Sequence, residues 1–140
     1  DGPQRSRLSA MARNLGIGNS VMVNHPTGDF RKELESSAVY MMTLLYEGFP
    51  MVLVEAAAAG TPAIAFNCPT GPAEAILDGE TGFIIAQRDI AWMSSGLRRL
   101  MSDRELRERM GEKAREHSSV FDIDKTMSQW MNLFRELTGE

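Results

Sequence analysis

Tyr46-Glu47-Gly48-Phe49-Pro50-Met51-Val52-Leu53-Val54-Glu55-Ala56-Ala57-Ala58-Ala59-Gly60-Thr61-Pro62 holds a helix with a loop ahead of it and a stop behind it. Proline suits a first helical turn, where its missing N–H has no partner to lose, and Gly60 followed by Pro62 ends a helix. The spacing therefore predicts a helix over 50–59. Apart from Glu55 that helix is apolar on every side, which predicts burial, and a buried carboxylate is costly without a polar partner. Glu55 is accordingly expected to have one. Glu47 lies just before the helix N-terminus, where unpaired N–H groups and the positive end of the helix dipole suit an anion such as a phosphate.

Outward from this stretch, apolar and polar segments alternate at the spacing of βα units, which predicts a parallel, doubly wound α/β sheet. The sequence predicts a helix over 3–15, with Leu8, Met11, Ala12 and Leu15 on one face and Gly16 as its stop. It predicts a short strand over 20–23, a helix from the cap Asp29 to Ser36, a buried strand over 38–43, and strands over 62–66 and 83–85. A one- or two-turn helix opens at Gly71-Pro72. Three helices close the chain, capped by Asp89, Asp103 and Asp122. Trp92, Met93, Leu97 and Leu100 form the apolar face of the first, and Leu106 and Met110 the contact side of the second. Ile123, Met127, Trp130, Met131 and Phe134 form a stripe at helical spacing on the third. Ligands of open α/β sheets bind outside the C-terminal strand ends, which is where the loop carrying Glu47 falls.

The 140 residues suffice for one domain with a real core, 43% of them being hydrophobic. A formal net charge of −4 leaves no basic footprint for nucleic acid. The single cysteine, Cys68, forbids an internal disulfide, and with no visible signal peptide or long apolar run the expected location is the cytoplasm. No metal site is expected, since no His, Cys, Asp or Glu cluster has ligand spacing.

The E-x7-E pattern with Gly-Phe after its first acid, the following Gly60-Thr61-Pro62, then Cys68-Pro69-Thr70-Gly71-Pro72-Ala73-Glu74 and Asp78-Gly79-Glu80-Thr81-Gly82-Phe83, resembles the family-4 retaining glycosyltransferases of the GT-B fold. The likeness runs from about Asp1 to Phe134. It implies a Rossmann-like sheet followed by C-terminal helices, the nucleotide-sugar (donor) half of a GT-B enzyme. Asp1-Gly2-Pro3 resembles the end of the family's Gly-x-Gly-Pro segment, so the chain is expected to begin two strands into that half. The acceptor domain would then be absent, along with the loop whose Arg and Lys meet the diphosphate in the family, and these 140 residues alone are not expected to catalyse transfer. Residues 122–137 would be the terminal helix that packs on the acceptor domain. The remaining sheet is expected to have four parallel strands, with 20–23 paired directly to 38–43.

In the family the first Glu binds hydroxyls of the donor sugar and the second those of the ribose, so the resemblance gives Glu47 the catalytic donor-sugar role and Glu55 the ribose role. A carboxylate suits both tasks because it only accepts and can grip two hydroxyls. Backbone N–H groups of Gly48, Phe49, Met51 and Val52 are placed to hold sugar and phosphate oxygens. Thr70 and Gly71 open a second helix toward the same sheet edge; Thr70 reads equally as an N-cap. Glu74 has a positioning role by resemblance. His25 would lie beside the nucleobase, against the plainer reading of a solvated loop histidine. Cys68 reads as small packing and His117 as an exposed residue. No cofactor is expected beyond the nucleotide diphosphate sugar itself, read as a UDP-sugar, with a sugar or a lipid-linked acceptor as second substrate; the latter would bring the enzyme to a membrane surface. The competing readings are a non-catalytic nucleotide-binding module and another GT-B enzyme, such as a nucleotide-sugar epimerase.

Overall fold

The computed structural model describes residues 2–139, so Asp1 in the Asp1-Gly2-Pro3 reading lies outside the described residues. The chain divides into two compact units, residues 1–30 and 31–140. In the first, helix α1 (Arg5–Asn14) is followed by Gly16 at φ 72°. Only Ala12 of its expected apolar face is buried, with Leu8, Met11 and Leu15 exposed. The strand expected over 20–23 does not form: these residues are turn and coil, and Met22 is 84% exposed. Val21 and Val23 favour β structure, but β propensity is realised only when a neighbouring strand completes the ladder.

The second unit is built on a sheet of three strands, not four. It comprises β1 (Tyr40–Met42), β2 (Ala63–Phe66) and β3 (Gly82–Ile85), all parallel in the order β1-β2-β3. Between them run α3 (Met51–Ala59) and the single turn α4 (Pro72–Ala75). Helix α2 (Phe30–Ser36) precedes β1, and α5 (Ile90–Ser102), α6 (Arg104–Ser118), a 3-10 turn (Ser119–Phe121) and α7 (Ile123–Thr138) follow β3. β1 is an edge strand with Met41 49% exposed, so the long buried strand expected over 38–43 is corrected to a short edge.

The middle strand organises the core. All four residues of β2 are buried, and the strand's two-residue period sends Ala63 and Ala65 to one face and Ile64 and Phe66 to the other. On the first face they meet Leu53 and Val54 of α3, Met42 and Ile76. On the second they meet Ile85, Met93 and Leu100 with Leu106 and Met110 of α6. Trp92, expected on that apolar side of α5, is 68% exposed; its N–H is used by the Asp89 cap at 3.0 Å while Met93 takes the core position. The Asp103 and Asp122 caps form as expected. Gly111 of α6 lies so close to α3's end that an added Cβ would run into the Gly60 carbonyl, while Arg115 donates to Ala59 O at 2.9 Å. Thus α6 clamps α3 at its C-terminus, where Gly60 takes the left-handed φ of 77°. Among the described residues no helix is long and apolar enough to cross a membrane.

Candidate functional site

The segments leaving β1, β2 and β3 are stitched together at the C-terminal end of the sheet. Thr70 donates twice to the β1–α3 loop, from its N–H to Glu47 O at 3.2 Å and from its hydroxyl to Gly48 O at 2.8 Å. Gln87, after β3, donates from Nε2 to Leu45 O at 2.6 Å. Gly71 seals the join: at φ 104° it sits so near that an added Cβ would lie 2.5 Å from Pro50 Cδ and 3.0 Å from Gly48 O. The sequence therefore brings Glu47, Gly48, Phe49, Thr70 and Gly71 into one place. The Thr70 hydroxyl, read as an N-cap or a phosphate contact, is instead tied to Gly48 O, and Gly71 is the N-cap of α4.

The donors at the start of α3 can be accounted for one by one. Gly48 N–H turns to its neighbour's carboxylate, Glu47 Oε1, at 3.1 Å. Met51 N–H donates to Phe49 O at 3.0 Å, and Leu53 N–H to Pro50 O at 2.9 Å. Pro50 has none. The N–H groups of Phe49 and Val52 find no acceptor among the described residues. They are donors left for an incoming oxygen, beside the half-buried Glu47.

Glu55 departs from expectation. It is exposed and makes no hydrogen bond among the described residues, so the expected buried acid in need of a polar partner is corrected to a solvated one. Met51, Glu55 and Ala58 share α3's open face, while Leu53, Val54, Ala56 and Ala57 face inward. An all-apolar sequence concealed a one-sided helix because its open face is made of methionine and alanine. Glu55's neighbour is Tyr40 of β1, whose phenol has its pKa raised by burial and, secondarily, by the Glu55 carboxylate. The sequence reading missed Tyr40; its place at the start of a strand was the available signal.

Cys68 is buried, in keeping with packing. Glu74 is exposed, but its carbonyl lies 3.3 Å from His117 Nε2, which is partly buried and not the free surface histidine expected. His25 lies in coil of the first unit and is exposed. On the three segments leaving the strands, 43–50, 67–71 and 86–89, the one basic residue is Arg88, held at φ 66°. Among the described residues no group of three or more His, Cys, Asp or Glu is placed to hold a metal ion.

The sequence profile of the family described as glycosyl transferases group 1 matches residues 1–117. An exopolysaccharide phosphotransferase of Streptomyces coelicolor is 41% identical over 140 residues, which are 99% of this chain and 15% of that protein. The amylovoran biosynthesis glycosyltransferase AmsD of Erwinia amylovora is 30% identical over 95% of this chain and 37% of its own length. Among solved structures, a mutant of Staphylococcus aureus TarM in complex with fondaparinux, α-GlcNAc-glycerol and UDP is similar with a TM-score of 0.90. It is 26% identical, over 95% of this chain and 27% of TarM. The chain thus spans between 15% and 37% of the length of these relatives.

Proposed function

Because this chain belongs to the group 1 glycosyl transferases, with their GT-B fold, we propose that it is the donor-binding half of a retaining glycosyltransferase. The whole enzyme would move a hexosyl group from a nucleotide diphosphate sugar, read as a UDP-sugar, to a sugar or lipid-linked acceptor. The observation that carries this reading is the stitched loop pair: it presents the Phe49 and Val52 N–H groups and the Glu47 carboxylate at one helix end. Charge gathers on the departing diphosphate, and donors fixed in advance stabilise it without reorganisation. Glu47 accepts hydroxyls of the sugar and Glu55 those of the ribose. UDP in the TarM complex supports the choice of nucleotide. The likeness to a protein named a phosphotransferase takes in only 15% of that protein, too little to bring its chemistry here. A lone, buried, free cysteine suits the cytoplasm.

Calorimetric titration of the protein carrying this chain with UDP, GDP and ADP tests the reading, UDP being expected to bind tightest. Glu55→Ala should weaken UDP by ~1.5–3 kcal/mol, the worth of hydrogen bonds to a charged group. Glu47→Ala should instead weaken the UDP-sugar and slow transfer while free UDP binds almost as before. Failure of all three nucleotides to bind would overturn the proposal, and equal losses for both variants would overturn the division of roles.

A further inference from the structure

The β1–α3 loop is fixed by hydrogen bonds at Leu45, Glu47 and Gly48, but not at Phe49. Gln87 holds Leu45 O, and Thr70 holds Glu47 O and Gly48 O. Phe49 has only the local bond from Met51 N–H to its carbonyl. What reaches its side chain from elsewhere is the ring of Phe121, 5.5 Å away between centroids and tilted by 53°. Phe121 ends the 3-10 turn that follows α6, and it packs against the core cluster of Met42, Leu53 and Ile76. Its other edge meets His117, 5.6 Å away at 89°. The same histidine places Nε2 3.3 Å from Glu74 O; a carbonyl only accepts, so Nε2 carries the proton in this contact. One turn of chain, 117–121, therefore braces both segments of the candidate site from behind.

We infer that Phe121 and His117 are positioning residues for the donor site: Phe121 sets the angle at which Phe49 presents its N–H, and His117 sets α4 against the same loop. The inference rests on the donor-binding reading above. It adds a support more than forty residues from Glu74 and more than seventy from Phe49 in sequence, on elements that carry none of the proposed ligands. Ring against ring is a directional contact, favouring tilted and edge-on pairs over any filling of equal volume. An aliphatic side chain at 121 would keep the core filled and lose the angle.

The test is UDP binding to the protein carrying this chain, measured well below its unfolding temperature for wild type, Phe121→Leu, Phe121→Tyr, His117→Gln and His117→Ala. Phe121→Leu should weaken UDP by up to about tenfold, the fold-change that the full worth of an aromatic pair represents. Phe121→Tyr, which keeps the ring, and His117→Gln, which keeps an N–H donor, should bind as wild type; His117→Ala should weaken UDP by a lesser factor than Phe121→Leu. A merely structural role predicts a lower unfolding temperature with UDP affinity of the folded protein unchanged in Phe121→Leu, and that result overturns the inference. So does equal weakening in Phe121→Leu and Phe121→Tyr, since the ring would then not matter. If wild type does not bind UDP, the UDP reading fails first and this one falls with it; if wild type binds and Phe121→Leu binds equally, only this one fails.

Discussion

The Glu55 carboxylate and the Tyr40 phenol form a pair that can be read without any ligand. Burial is the larger cause of the raised Tyr40 pKa, and the neighbouring carboxylate adds to it by disfavouring a second negative charge. The sign for stability follows: a folded pKa above the unfolded 10.0 means the native state holds its proton more tightly. That contribution is complete below pH 10 and is lost as pH climbs from there through the raised value. The chain has two tyrosines, Tyr40 and the 79%-exposed Tyr46, so a Tyr46→Phe background isolates the phenol of interest. In ultraviolet titration of that variant Tyr40 should ionise above the ordinary range, and adding Glu55→Gln should move it back only part of the way, because burial remains. No movement on Glu55→Gln would separate the two residues and remove the structural support for their shared place. Here the sequence was informative about which residues matter and misleading about their surroundings. Glu55 stood out for chemistry, but hydrophobicity on all sides of α3 suggested a burial that the small and flexible residues of its open face do not require.

At the scale of elements, the candidate site depends on two helix starts lying in contact. Gly71 makes this possible in two ways, through its φ of 104° and through the space it leaves for Pro50 and the Gly48 carbonyl. Gly79 gives the matching control, with φ 75° but nothing within 4 Å of an added Cβ. Alanine at either position should cost about 1–3 kcal/mol of stability from the backbone conformation. Gly71→Ala should also push the loops apart and weaken UDP binding, which Gly79→Ala should leave alone. If chemical denaturation and calorimetry show the two variants alike in both respects, the close approach is not what holds the site. These elements were legible because local signals agreed: Pro50 and Gly60 bound α3 to within a residue, and Asp89, Asp103 and Asp122 cap as read. The segment over 20–23 was not, since a short run of β-favouring side chains does not report the presence of a partner strand. Phe121 and His117 escaped for a related reason. Their importance lies in contacts across more than forty positions of sequence, which no local pattern encodes.

For the whole molecule, the largest unspent resource is α7. Ile123, Met127, Trp130, Met131, Phe134 and Leu137 recur at helical spacing, and each is between 46% and 75% exposed. No residue of the helix is buried, although its Asp122 cap and the Lys125 bond to Ser119 O at 2.8 Å hold its first turn in place. A contiguous apolar stripe of this kind favours association, because covering it removes apolar surface from water at roughly 25 cal/mol per Å². The polypeptide of residues 1–140, prepared by itself, should therefore self-associate in a sedimentation dilution series. Trp130→Ser with Phe134→Ser should shift it toward monomer; since both rings are about half exposed, its unfolding temperature should change little. Fluorescence gives a second view: Trp92 and Trp130 are the only tryptophans, 68% and 51% exposed, so monomer emission should lie toward that of solvated indole and shift to the blue on association. Replacing Trp92 with Phe keeps that shift if α7 is the contact and abolishes it if the exposed start of α5 is. A wild-type chain that stays monomeric throughout the series would mean that the stripe is too divided by polar side chains to act as a surface.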